Sequence, residues 1–510
     1  EADDLVRMQD YGETYVDDTG ATRLTHAKDY AKYMEEKDRL KDAIKKNNNK
    51  ALQTRVKLEI AKDYSEYDNI YFSYCFDYRG RMYPIQTVLQ PQGDGLAKAL
   101  LEFSVGSPLD TDEAVRWFLI NGANLLGHDK LSYEERLEAV KDYPTLDIAN
   151  LRDSIWENRE VWGGADEPWL FLAWWIEYSR WRASGKSPTF LTHLPVALDA
   201  TCSGIQMYSG LMLDKAGATA VNVVGGTRED IYRDVADEAV RLIEEGKHPK
   251  TYTIKETLEE VSYTKYIPIA KSLLDRKLVK PNVMTLVYGA TLRGRQDQIE
   301  DALKEYRRVG KLSKEYSTFR LASFLVEVVS KAMGNVIKGA ITGQKCLLEI
   351  TKASLNTGKT FLFYRAPLSN FPVFIRPQAF DDRTVNITGW RIKYREFKKN
   401  TLNTRMVKQA ITPNLIHSLD SDLLRTSLMR MSYEGAKNFA MIHDSFGVSP
   451  RDVPLLNKVV REVFVELFEK DPLTLFAKHL GVEHLFDIEA MKVNTLDLNE
   501  VKTNSPYLIA

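Results

Sequence analysis

FAMIHDSFGVS, residues 439–449, is the stretch from which the fold is read. Four apolar residues run into His443-Asp444-Ser445, and apolar residues follow. The pattern predicts a strand, a tight turn and a second strand, with Asp444 at the apex. A carboxylate held on a rigid turn between two buried strands is well placed to fix a metal ion. Its counterpart is LPVALDATCSG, residues 194–204, where an apolar strand ends at Asp199 and small residues follow. Two aspartates at strand ends far apart in sequence point to a two-metal phosphoryl-transfer site. Each motif alone has a plainer reading, because an Asp after a strand is more often a turn former or a helix cap. The segments around them weigh between the two readings.

Composition sets the bounds. A chain of 510 residues exceeds one small core, so about two to four substructures are expected. Hydrophobic residues make up 44% and charged residues 28%, as in an ordinary globular protein. The longest apolar block, 169–176, falls well short of the roughly 18 residues of a membrane-spanning helix. Cys75, Cys202 and Cys346 are odd in number and far apart, which fits neither a disulfide framework nor zinc-ligand spacing and points to a reducing compartment. The first residue is Glu1 and no signal-like apolar region follows, which suggests a processed product or a fragment. Formal net charge is -1, but residues 365–408 hold ten Lys/Arg against three Asp/Glu, and residues 271–310 nine against five. Focused basic surfaces suit a nucleic-acid channel, whereas any single charged run is by default a solvated face.

Along the chain, 28–46 reads as a long exposed helix, Asn47-Asn48-Asn49 as a break, and 52–61 as a second helix. NIYFSYCFDYRGRMYPIQ, 69–86, alternates aromatic residues as a strand does, and Gly80 permits a turn that brings Arg79 and Arg81 within reach of phosphate or ribose. Residues 96–103 read as a helix ending at Gly106, and 112–126 as a helix in which Gly122 allows close packing. Lys130, taken alone, is a surface lysine. Seven of the eight tryptophans lie in or near 137–180, an aromatic mass that reads as core. A helix over 203–213 leads away from Asp199. Another, over 227–245, is capped by Thr227, with Ile231, Val235, Ala239 and Leu242 as its apolar face and Tyr232 beside it.

In DRKLVKPNVMTLVYGA, 275–290, Arg276, Lys280, Met284 and Tyr288 recur every fourth residue. On a helix they form one stripe roughly 18 Å long. Two cations, an aromatic ring and then Gly289 could line a nucleotide, although a cationic stripe is usually a solvated face. Pro281 predicts that the helix begins or bends there. Residues 314–354 read as helical and 361–375 as strand-like. TVNITGWRIKY, 384–394, reads as a hairpin turning at Thr388-Gly389, with Asn386, Arg391 and Lys393 on one face. A basic two-stranded ribbon fits a DNA major groove. PNLIHSLDSDLL, 413–424, opens a helix carrying His417 and Asp420, where a lone His is more often structural.

Together DYRGRMYP, LDATCSGIQ, the Arg276–Lys280–Tyr288–Gly289 series, PNLIHSLDS and IHDSFG resemble, in order and spacing, the single-subunit DNA-directed RNA polymerases of bacteriophages and mitochondria. The resemblance runs from about residue 52 to the C-terminus. It implies a mostly helical α+β chain with the right-hand polymerase fold: a palm, whose small antiparallel sheet carries the two aspartates, and fingers. On that plan 1–67 is a helical remnant of the thumb or N-terminal region, and 68–215 is palm with inserted helices. Residues 216–360 are fingers, 361–410 hold the specificity-loop-like hairpin, and 411–510 are palm and C-terminal foot.

The resemblance further implies template-directed RNA synthesis. Asp199 and Asp444, with the carbonyl of Ala200, would bind two magnesium ions that activate the RNA 3′-hydroxyl and neutralise the departing pyrophosphate. Arg276, Lys280 and Lys130 would hold the triphosphate, Lys130 because GANLLGHDK matches the family's segment ending in that lysine. Tyr232 would lie near the incoming nucleotide. Tyr288 and His417 would favour ribonucleotides, and Tyr288 with Gly289 would help hold the template base. Arg79 and Arg81 would contact the hybrid or template, and Asn386, Arg391 and Lys393 would sit in a promoter-reading loop. LDLNEVKTNSPYLIA resembles the family's C-terminal foot, which makes Ala510 the expected natural end.

Met207, Ala200-Thr201, Pro281 and Leu419 depart from the commonest family pattern, and none removes a catalytic group. Family members carry several hundred further residues upstream that bind and melt promoter DNA. The N-terminal promoter domain is therefore expected to be absent, its work falling to a second polypeptide or to a cleaved or trimmed segment. Expected partners are the DNA template, the RNA product and NTPs, with no membrane. A phage origin, and so the host cytoplasm, is favoured over the mitochondrial matrix. Two other classes compete: an A-family-like DNA polymerase, disfavoured because Ser445 follows Asp444 where that family has Glu, and a non-catalytic nucleic-acid-binding subunit.

Overall fold

The computed structural model describes residues 10–17, 19, 21–253, 260–387 and 390–510. The chain divides into two compact units, Glu1–Ser73 with Pro84–Ser104, and Tyr74–Tyr83 with Val105–Ala510.

In the first unit a hairpin, Thr14–Val16 against Thr22–Leu24, precedes a 38-residue helix, Ala27–Tyr64. This helix runs unbroken through Asn47-Asn48-Asn49, where the sequence suggests a break. An asparagine in a helix interior costs only about 0.7 kcal/mol, and good helix formers flank the three. The helix expected over 96–103 is confined to Gly95–Ala99. Only Ala97 in it is buried, so no apolar face extends it. Asp94 caps it, accepting from the Ala97 amide at 3.0 Å and pairing with Lys57.

At the centre of the second unit lies a three-stranded antiparallel sheet. It contains β1 (Val196–Asp199), β2 (Phe439–Ile442) and β3 (Ser445–Val448) in the order β2–β3–β1. Ile442 pairs with Ser445, so His443 and Asp444 are the whole turn. His443 takes φ 55°, the left-handed conformation that such a short turn demands. Ser445 in turn pairs with Asp199. Leu198, Phe446 and Val448 enter the main hydrophobic core.

Four helices carry the residues singled out by the sequence: α1 (Ser203–Met212), α2 (Ile231–Glu244), α3 (Arg276–Leu286) and α4 (Thr404–Tyr433). Side-chain caps set the starts of α2, α3 and α4. Those of α2 and α4 differ from the sequence reading, and α3 excludes only a start at Pro281. Asp230, not Thr227, caps α2 by accepting from the Tyr232 amide, while the Thr227 hydroxyl donates to Glu229. Asp275 caps α3, so the helix begins before Pro281 and holds that proline inside. Asn403 caps α4, which places Pro413 in the interior of a 30-residue helix rather than at its opening. In each case a short side-chain acceptor satisfies an amide that the first turn leaves open.

The region 314–354 is two helices, Thr318–Val336 and Lys338–Leu355. The strand-like stretch at 361–375 is a hairpin, Leu362–Arg365 against Pro372–Ile375. The basic hairpin is longer than expected, Gln378–Ile387 against Trp390–Leu402, with Asn386 opposite Arg391 and Thr384 opposite Lys393. Its expected turn at Thr388-Gly389 lies outside the described residues. The tryptophan-rich region packs as a second core around Phe118, Phe171, Trp174, Trp175, Tyr178 and Trp181, although Trp156 and Trp169 stay exposed. The molecule is thus mostly helical, with small antiparallel sheets.

Candidate active site

The sheet register brings Asp199 and Asp444 together. β1 ends at Asp199 where β3 begins, and Asp444 immediately precedes β3. The Ala200 amide donates to the Asp444 carbonyl at 3.2 Å, which ties the two strand ends. On its other side, the Ala510 amide donates to the Asp199 carbonyl at 3.0 Å. The Asp199 side chain is exposed and Asp444 half-buried, so both carboxylates are within reach of a ligand. Two carboxylates with the Ala200 carbonyl would offer an all-oxygen donor set of the kind hard divalent cations take. Among the described residues no three His, Cys, Asp or Glu side chains gather as a metal cluster. The remaining positions on such a cation would fall to water and to substrate oxygens, which suits a metal that arrives with a nucleotide.

Beside the sheet, α2 and α3 build a cationic wall. Tyr232 is buried, and its hydroxyl donates to the Thr201 carbonyl at 3.3 Å. The Arg276 guanidinium lies 5.1 Å and the Lys280 ammonium 5.7 Å from the centre of its ring. Asp230 accepts from Arg276 Nε at 2.7 Å. Burial, then Cys202, raises the Tyr232 phenol well above its ordinary pKa, so the ring stays neutral beneath the two cations. Lys130 pairs with its neighbour Asp129 and is half-exposed.

The loop between strands Tyr74–Phe76 and Met82–Pro84 reaches α4. Gly80 takes φ 90°, and a Cβ there would lie 1.9 Å from Arg425 Nη1, so the turn expected at Gly80 forms and requires glycine. Both arginines of the loop have partners. Arg79 is held by Asp77 through Nε at 2.9 Å and Nη2 at 2.7 Å, and its Nη1 meets His417 Nδ1 at 2.7 Å. Arg81 makes a two-point pair with Asp420, its Nε at 3.2 Å. Burial raises the Asp420 carboxyl to about 7, with Arg81 opposing and Asp444 adding to the rise. Burial, then Arg81 and Arg79, lowers His417 to about 3, so this imidazole is neutral.

The Tyr288 ring sits 4.6 Å from the His417 ring, just beyond the end of α3. Burial raises its phenol as well. Gly289 turns the chain there with φ 82°. Gly204, in the first turn of α1, lets this corner close, since a Cβ would lie 2.8 Å from Val287 and 3.1 Å from the Tyr288 hydroxyl. Asp77, Asp230 and Asp420 are site residues that the sequence reading did not assign. Asp420 shares the PNLIHSLDS stretch with His417, but its partner Arg81 is 339 positions away, and no local pattern announces the pair. Asn386, Arg391 and Lys393 lie on the exposed hairpin, and no contact recorded among the described residues links them to the carboxylates.

Carboxylates at adjacent strand ends, beside a helix that presents cations, could hold a divalent cation and a polyphosphate. The family model for DNA-dependent RNA polymerase matches residues 108–505, and the chain belongs to that family. A mitochondrial DNA-directed RNA polymerase 1 of Arabidopsis thaliana is 32% identical over 436 residues, 84% of this chain and 43% of that protein. A chloroplastic/mitochondrial DNA-directed RNA polymerase 2 of the same plant is 31% identical over 479 residues, 92% of this chain and 45% of its own length. A chloroplastic DNA-directed RNA polymerase 3 of Nicotiana sylvestris is 31% identical over 425 residues, covering 81% and 41%. The chain spans less than half the length of these relatives.

Proposed function

We propose that this chain catalyses template-directed RNA synthesis, adding nucleotides from NTPs to an RNA 3′ end on a DNA template. The observation that carries this is the pairing of β1 with β3, which sets Asp199 and Asp444 at neighbouring strand ends, while Tyr232, whose ring faces the cations of α3, bonds Thr201 just beyond β1. The sheet would be the palm and α2 and α3 part of the fingers. Magnesium, held by Asp199, Asp444 and the Ala200 carbonyl, would supply an activated 3′-hydroxyl and charge neutralisation at the leaving pyrophosphate. Arg276 and Lys280 would hold the triphosphate, with Tyr232 fixing their direction. Lys130 would join them. Tyr288 and His417 would sense the ribose, and Gly289 would leave room for the template base. Arg79 and Arg81 would act near the growing end largely through the residues they pair with.

For promoter binding we propose a further domain or a second polypeptide, since the relatives are more than twice as long as the matched region. The basic hairpin, with Asn386, Arg391 and Lys393, would meet DNA. The names of the relatives are organellar, so we favour an organelle over a phage host's cytoplasm.

Primer extension on a preformed RNA–DNA scaffold with magnesium, with NTPs or dNTPs in separate reactions, tests the reading. Extension by NTPs alone supports it. Extension by dNTPs alone would favour a DNA polymerase, and scaffold binding without extension a non-catalytic subunit.

A further inference from the structure

We infer that Asp77 and Arg79 are positioning residues that lock His417 as the Nε2–H tautomer, so that a ribose 2′-hydroxyl meets a fixed hydrogen-bond donor. The inference rests on the ribose-sensing role proposed for His417 and names the device behind it.

A guanidinium has five N–H donors and no acceptor. Its contact with His417 Nδ1 at 2.7 Å therefore has one polarity: Arg79 donates and Nδ1 accepts. A neutral imidazole that accepts at Nδ1 carries its proton on Nε2. The doubly protonated ring would set an N–H against Arg79, and burial with Arg81 and Arg79 already disfavours that charge.

Arg79 is itself immobilised. Asp77 grips Nε and Nη2, and the same carboxylate accepts from the Arg79 amide at 2.9 Å and the Arg81 amide at 3.0 Å. The Ser421 hydroxyl of α4 donates to the Arg79 carbonyl at 3.1 Å. Tyr78, between them, donates to Asn414 on the same helix at 3.0 Å. The ionisable groups that bear on His417 are thus Asp77, Arg79 and Arg81 from the loop, His443 from the sheet turn, and Tyr288 against its ring.

A fixed donor makes a missing hydroxyl costly. The 2′-hydroxyl oxygen of a ribonucleotide accepts from Nε2–H, whereas a deoxyribonucleotide leaves a half-buried N–H without an acceptor. A ring that exchanged its proton between nitrogens would offer that donor for only part of the time and would discriminate less.

The test uses the full chain labelled with 15N-histidine, with His417→Gln to assign the signal. Wild type is expected to show His417 unprotonated at Nδ1 and protonated at Nε2. Arg79→Met should mix the tautomers and lower the NTP-over-dNTP ratio of kcat/KM about tenfold, through KM more than kcat. Arg79→Lys keeps a donor and should preserve the tautomer, and Asp77→Asn should fall between the two. A protonated Nδ1 in wild type would overturn the inference without any activity measurement. So would an Arg79→Met protein of native circular dichroism whose tautomer and ratio are unchanged. Equal use of NTPs and dNTPs by wild type, with the expected tautomer present, would instead remove the ribose-sensing role and leave the tautomer assignment standing.

Discussion

The Ala200 amide and the Asp444 carbonyl are hydrogen-bonded at 3.2 Å, joining residues 244 positions apart at the point where β1 leaves the sheet. One strand pairing thereby fixes the separation of two carboxylates. Asp444→Asn is isosteric and keeps the turn, yet removes the charge that a cation would need. Extension of a scaffolded primer should fall about a thousandfold, the scale of several kcal/mol of transition-state stabilisation. Scaffold affinity, measured by fluorescence anisotropy, should change little. Residual synthesis near the wild-type rate would remove Asp444 from the metal site.

Tyr232 offers a finer test, because its ring and its hydroxyl have separate jobs. The ring faces Arg276 and Lys280, and the hydroxyl bonds the Thr201 carbonyl and meets the Cys202 thiol. Tyr232→Phe should leave the KM for NTPs within about twofold. Tyr232→Leu removes both cation–ring contacts and should raise KM by roughly five- to thirtyfold, at about 0.5–1 kcal/mol each. Equal effects of the two changes would show that the hydroxyl, not the ring, matters.

These two sites differ in how much the sequence disclosed. Four apolar residues running into His443-Asp444-Ser445 leave few readings other than a strand and turn, and the spacing of Arg276 and Lys280 puts both on one helix face. The hairpin around 384–394 was also legible from alternation, though not its full length, since an exposed ribbon has no burial pattern to mark its ends. Helix starts were less legible. Thr227 and Asp230 are both good caps, and only tertiary packing chooses between them. Pro413 reads as an opening residue, yet α4 already runs nine residues before it. The pairs Arg79–His417 and Arg81–Asp420 are invisible locally, because each joins a loop to a helix more than 300 residues away.

The tryptophan core gives a stability test remote from the chemistry. A Cβ on Gly122 would lie 2.2 Å from the Trp174 indole, which is fully buried and donates from Nε1 to the Phe118 carbonyl at 2.8 Å. The indole cannot withdraw without losing that bond. Gly122→Ala should therefore destabilise the chain by about 1–3 kcal/mol despite the better helix propensity of alanine. A rise in the urea midpoint would contradict the packing.

His417 should leave a mark on stability in acid. Its folded pKa is about 3 against an ordinary 6.5, lowered by burial and by Arg81 and Arg79. Between those values the unfolded chain binds a proton that the folded chain does not. Stability therefore rises with pH across that window on account of this group. In His417→Gln that contribution disappears, and the slope of unfolding free energy against pH should be shallower from about pH 4 to 6. Urea titrations of both proteins at three pH values decide it, and parallel slopes would mean that His417 is not buried neutral.

Arg81 and Asp420 make the opposite pH prediction. Asp420 is 3% exposed, and burial holds its carboxyl near 7 even with Arg81 in contact. The folded chain thus keeps a proton that the unfolded chain releases above the ordinary carboxylate value, so stability is lost as pH rises toward and through 7. Arg81 pairs with that carboxylate at two points, and Arg81→Met removes both contacts. The pKa then moves higher still, and the cost of ionising Asp420 grows over a wider range. Breaking a buried pair costs about 3–5 kcal/mol when the remaining charge must stay ionised, and less when it can take up a proton. Arg81→Met should therefore lose more stability at pH 8.5 than at pH 6. Arg81→Met with Asp420→Asn should recover much of the loss at pH 8.5, because no buried charge remains. A single-variant loss that is larger at pH 6 would show that Arg81 stabilises the fold through some other contact.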